Sequence, residues 1–72
     1  MSGNQTINVR LNGKDREIDS GLSVKALVES LDLNPKLIVV ELNREILSRD
    51  CFGEIKVSDG DQVELVHFVG GG

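Results

Sequence analysis

From Thr6 to Leu11 apolar and polar positions alternate, with Ile7, Val9 and Leu11 on one side and Asn8 and Arg10 on the other. A period of two marks a strand with one buried face. Asn12-Gly13 follows directly, and Asn-Gly favours a type I′ turn because both central residues need positive φ. The pattern predicts a hairpin whose return strand runs from Lys14 to Asp19. Ile18 is the one clear apolar residue of that strand, so it belongs at a sheet edge, where charge discourages pairing with another chain. Ser23 is placed to cap a helix, and Val24, Leu27, Val28 and Leu31 have the i, i+3, i+4, i+7 spacing of one helical face. The helix is expected to run from Val24 to about Leu31 and to stop at Asn34-Pro35, since proline disfavours helical geometry in the residue before it.

The next run, Leu37 to Leu42, is rich in β-branched residues and does not alternate. It reads as an interior strand covered on both faces or nearly so. Asn43-Arg44 suits a second tight turn, with Glu45 to Leu47 a short extension and Arg49 to Gly53 an irregular or single-turn piece. A short fourth strand is expected near Ile55 to Val57. Asp59-Gly60-Asp61 breaks the chain before a long last strand, Gln62 to Val69. One helix can cover one sheet face, so the economical arrangement is α+β: a mixed sheet of four to five strands packed on one main helix. A ferredoxin-like sandwich needs a second helix that Arg49 to Glu54 is too short to supply, and an SH3-like barrel has no place for the first.

The chain has 72 residues, which suits one small domain, here 1–69, followed by a flexible glycine tail, 70–72. A domain this small has little room for a deep, water-excluding active site. Eight basic against twelve acidic residues give a net charge of −4, the wrong sign for a phosphate backbone, so nucleic acid is not the expected partner. A basic protein surface suits it better. The single cysteine, Cys51, cannot form an internal disulfide or a four-thiolate metal site. No basic, apolar leader opens the chain, and no run approaches the roughly 20 apolar residues of a membrane span. A cytoplasmic protein without membrane attachment is expected, with no bound cofactor and no metal.

The final residues, Val69-Gly70-Gly71-Gly72, place three glycines directly after the last strand. Such a thread extends about 10 Å and enters slots that a Cβ would block. It presents the α-carboxylate of Gly72, which is a poor electrophile until activated, most simply as an acyl-phosphate anhydride made from ATP. The chain has no glycine-rich phosphate cradle, so the ATP site belongs to a partner and this protein is a substrate of that reaction, not its catalyst. The same glycines also suit an ordinary frayed end. If Val63 and Leu65 face the helix, then Gln62, Glu64, Val66 and Phe68 face away, and the outer side turns apolar just before the tail. Val66, Phe68, Val69, Gly70 and Gly71 are therefore the candidate partner-binding residues, unless a bulge reverses the register. His67 could move a proton but suits packing better, and Cys51 suits a small buried hydrophobe better than a persulfide carrier. The acidic residues, Glu41 and Glu64 among them, read as solvated surface or turn formers.

From Ile7 to Gly72 the chain resembles the ThiS family, the sulfur carriers of thiamine biosynthesis. The shared features are L-N-G-K (Leu11 to Lys14), S-V-x-x-L-V (Ser23 to Val28), V-E-L-N-x-E-I-L (Val40 to Leu47), D-G-D-x-V-E-L-V (Asp59 to Val66) and the terminal V-G-G-G. Each is weak alone; their order and spacing are specific. The resemblance implies a ubiquitin-like β-grasp fold. It implies that a ThiF-like enzyme uses Mg-ATP to adenylate Gly72, that sulfur from a cysteine desulfurase persulfide displaces AMP, and that the resulting thiocarboxylate serves a ThiG-like thiazole synthase. The small subunit of molybdopterin synthase, a ubiquitin-like protein modifier and a non-covalent β-grasp adaptor are the alternatives on the same residues.

Overall fold

The computed structural model describes residues 5–67. Strands β1 (Thr6–Leu11) and β2 (Lys14–Asp19) form the first hairpin, helix α1 covers Val24–Ser30, and β3 (Ile38–Leu42), β4 (Glu45–Ile46) and β5 (Gln62–His67) complete the sheet. Single 3₁₀ turns occupy Pro35–Leu37 and Arg49–Cys51. The strand order is β2-β1-β5-β3-β4. β1 and β5 run parallel, and every other neighbouring pair is antiparallel. This is the mixed five-stranded sheet on one helix that the sequence predicts.

The Asn12-Gly13 turn forms as expected, with φ of 51° and 82° at its two central residues. Asn43-Arg44 repeats the geometry between β3 and β4, at φ of 51° and 71°. Arginine has no side-chain compensation for that left-handed conformation, so the second turn is strained where the first is not. β2 lies at the edge with only Ile18 buried. The β1 alternation also holds, with Val9 and Leu11 buried and Asn8 and Arg10 exposed.

The helix start accounts for its own unpaired amides. Val24 N–H donates to the Ile55 carbonyl at 2.8 Å and Lys25 N–H to the Phe52 carbonyl at 2.9 Å. Ala26 N–H donates to Ser23 Oγ at 3.0 Å, the cap expected from sequence. These bonds also explain a correction. The segment Ile55 to Val57 is not a strand of the sheet: Lys56 makes one isolated bridge to Ser23, and Val57 N–H donates to Leu22. Its backbone is engaged by the helix entrance, and the fourth strand is instead Glu45–Ile46.

The helix end is a second correction. Asp32 takes the left-handed conformation (φ 61°), its N–H donates to Glu29 and the Leu33 N–H donates to Val28. That bond pair closes the helix as a Schellman motif before Asn34-Pro35 is reached. Proline opens the following 3₁₀ turn, with Asn34 Oδ1 accepting from Lys36 N–H.

Val24, Leu27 and Val28 of the helix pack on Val9 and Leu11 of β1, Ile38 and Val40 of β3 and Val63 of β5, while Ile18, Phe52 and Val57 close the margins. β3 was expected to be covered on both faces, and it is not. Its burial alternates, with Ile38 and Val40 inside and Val39 37% exposed, because the single helix covers only one side of the sheet.

Candidate functional site

β5 carries the chain toward its C-terminus, and the structure fixes which way its side chains point. It pairs with β3 without interruption from Leu42↔Val63 to Ile38↔His67. No bulge reverses the alternation there: Val63 is fully buried and Val66 is 59% exposed on the opposite face. Val66 therefore faces outward, as the alternation along β5 predicts. Phe68, Val69, Gly70, Gly71 and Gly72 lie outside the described residues.

Two clasps hold β5 in place. On the β1 side, Asn12 N–H donates to the Val63 carbonyl at 2.9 Å and Asn12 Oδ1 accepts from Leu65 N–H at 2.7 Å. At its start, Asn43 N–H donates to the Gln62 carbonyl at 2.7 Å and Asn43 Oδ1 accepts from Gln62 N–H at 2.9 Å. Asp61 accepts from Asn43 Nδ2 at 3.0 Å and from Ser58 N–H at 2.7 Å. Both turn asparagines thus have a second use, fastening the strand that leads to the tail.

Val66 does not stand alone. Its partner across the β3–β5 ladder is Val39, and the next outward rung is Glu41↔Glu64. β4 adds Ile46, paired with Glu41 and 68% exposed. These five side chains line a shallow depression of about 260 Å³ on the face turned away from the helix. It is an apolar surface with two half-buried carboxylates at its far end from the tail. Val39 and Ile46 escape a reading along the chain because what joins them to Val66 is strand pairing; the missing alternation in Leu37 to Leu42 was the one available signal. Glu41 and Glu64 are half-buried, not freely solvated.

The remaining candidates are not brought to this surface. His67 is exposed at the strand end, opposite Ile38. Cys51 is half-buried in the 3₁₀ turn Arg49–Cys51, and Cys51 N–H donates to Ser48. A larger concavity of about 500 Å³ adjoins that turn, but its charged lining mixes Lys25, Lys36 and Arg49 with Asp50 and Glu54, and none of its residues is on β5. Among the described residues no three or more His, Cys, Asp or Glu side chains gather for a metal ion, and no helix is long and apolar enough to cross a membrane.

Comparison with known proteins gives concordant matches. The ThiS family model matches residues 9–72. The sulfur carrier protein ThiS of Bacillus subtilis is 41% identical over 66 residues, which cover 89% of this chain and 98% of that protein. A thiazole synthase of Magnetococcus marinus is 34% identical over 64 residues; the match takes in 89% of this chain and only 20% of that longer protein. The crystal structure of the thiamine biosynthesis protein ThiS from Geobacter metallireducens superposes with a TM-score of 0.79 at 39% identity, covering 92% of this chain and all of that one.

Proposed function

The chain belongs to the ThiS family, and from that premise we propose that it is a sulfur carrier of thiamine biosynthesis, working as a cosubstrate through the carboxylate of Gly72. The observation that carries this reading is the family match itself, which runs through the terminal glycines to residue 72. Nothing favours the molybdopterin, modifier or adaptor alternatives over it.

The chemistry follows from what a carboxylate lacks. A ThiF-like enzyme converts Gly72 with Mg-ATP into an acyl-adenylate; the ATP site is the enzyme's. The outer sulfur of a cysteine desulfurase persulfide then attacks the acyl carbon and displaces AMP, giving an acyl disulfide. A thiol of the partner enzyme attacks the desulfurase cysteine's sulfur, so that a disulfide forms between those two thiols and the thiocarboxylate leaves. A ThiG-like thiazole synthase accepts that sulfur, a partnership supported by the thiazole synthase relative that contains a segment similar to this chain. Gly70 and Gly71 thread the partner's slot, while Val66, with Val39 and Ile46 beside it, and Phe68 and Val69 form the contacts that seat the body, residues 1–69, against the partner. The work is done in the cytoplasm, in keeping with one unpaired cysteine.

Intact-mass analysis of the protein from cells tests this. A carrier gains the mass difference of sulfur for oxygen at its C-terminus. A modifier appears in larger conjugates, and an adaptor shows neither. Deleting Gly72 is expected to leave folding unchanged and to end sulfur transfer, measured as thiazole formation; persistence of transfer overturns the reading.

A further inference from the structure

The geometry points to an arginine of the docking partner as the occupant of the depression on the outer sheet face, its stem against Val39, Val66 and Ile46 and its guanidinium between Glu41 and Glu64. This rests on the outer face being the docking surface. Glu41 and Glu64 are directly opposite one another across β3 and β5, a placement that sets their Cβ atoms about 5 Å apart. Like charges so placed destabilise a sheet. Both residues are half-buried, and among the described residues neither carboxylate accepts a hydrogen bond. The described residues therefore leave a like-charged pair side by side without a hydrogen-bond donor to either carboxylate.

The rest of the depression decides what kind of cation. The next outward rung, Val39 and Val66, is apolar, and Ile46 flanks Glu41 on the carboxylates' own rung. A hydrated metal ion gains nothing from those groups. A long basic side chain lays its aliphatic stem on them and carries its charge to the end. Arginine fits better than lysine, because its planar fork can engage two carboxylates at once and it is the more weakly hydrated cation. The chain's net charge of −4 steers such a partner in the same sense.

Titration calorimetry of the full chain against its cognate thiazole synthase, at low and high salt, tests the assignment with two variants. The Glu41→Gln/Glu64→Gln double variant is expected to bind about tenfold more weakly at low salt and to lose most of the salt dependence of the unaltered protein. Its melting temperature is expected to equal or exceed that of the parent, since a repulsive pair is neutralised. Val66→Ser is expected to weaken binding at both salt concentrations. Treating the synthase with phenylglyoxal, which blocks arginine, removes the carboxylate-dependent increment. If Val66→Ser weakens binding and the double variant does not, the arginine is overturned while the docking face stands. If neither variant weakens binding, the docking face itself fails. A lower melting temperature for the double variant, loss of the increment on lysine acetylation alone, or salt-dependent self-association that the double variant abolishes, each overturns the assignment.

Discussion

Asn12→Gly isolates one hydrogen bond at the strand that bears Val66. Position 12 has φ of 51°, which glycine adopts without strain, so the I′ turn survives and only the side chain is lost. That side chain accepts from Leu65 N–H at 2.7 Å. β1 pairs with β5 only as far as Leu11↔Val63; beyond it the chain turns into the hairpin, and the Asn12 amide supplies the acceptor that the β1 backbone no longer provides. The bond is exposed, so water takes up the freed N–H and the cost is the net worth of an ordinary hydrogen bond, about 1 kcal/mol. A chain of this length has roughly 4–10 kcal/mol of stability in total, and the loss corresponds to a fall in Tm of roughly 4–8 °C. Urea unfolding gives the first number and amide hydrogen exchange locates it. Leu65 should exchange faster in the variant, while the amides of β2 should change only by the global loss. An unchanged Tm together with unchanged Leu65 exchange would refute the claim that Asn12 extends the ladder.

Leu27 is 1% exposed at the centre of the helix–sheet contact, and Leu27→Ala should cost about 3 kcal/mol, a large share of the whole, read as a fall in urea midpoint at constant slope. Asp32→Gly and Arg44→Gly should each raise stability by about 1 kcal/mol in the same assay, since both residues sit in the left-handed region, at 61° and 71°. Asp32→Gly also removes an acidic residue from a helix C-terminus, where negative charge is unfavourable, so its gain should shrink as salt is added and that of Arg44→Gly should not.

Turn chemistry and period made most of the fold legible. Asn12-Gly13 demands its turn locally, Ser23 its cap, and the alternation in Thr6 to Leu11 is satisfied by one neighbouring layer. What failed depended on partners distant in the chain. Nothing in Ile55-Lys56-Val57 reveals that its backbone will bond the helix entrance and leave the sheet alone. Arg44 has no propensity for its conformation and is held there because Leu42 and Glu45 pair around it. Leu37 to Leu42 was the most instructive misreading, since an unbroken apolar run usually means cover on both faces. Here the outward member, Val39, is left bare beside Val66. Of the candidate site, Val66 was visible from alternation within β5, whereas Val39, Ile46 and the Glu41–Glu64 rung became neighbours only once β3, β4 and β5 were paired.

The parallel pairing of β1 with β5, with β3 on the other flank, has a mechanical consequence. A pull on the C-terminal end of β5 acts along the strand and across the hydrogen bonds to both neighbours. Those bonds are loaded together in shear and cannot be unzipped singly, so the body resists traction far better than its modest thermodynamic stability implies.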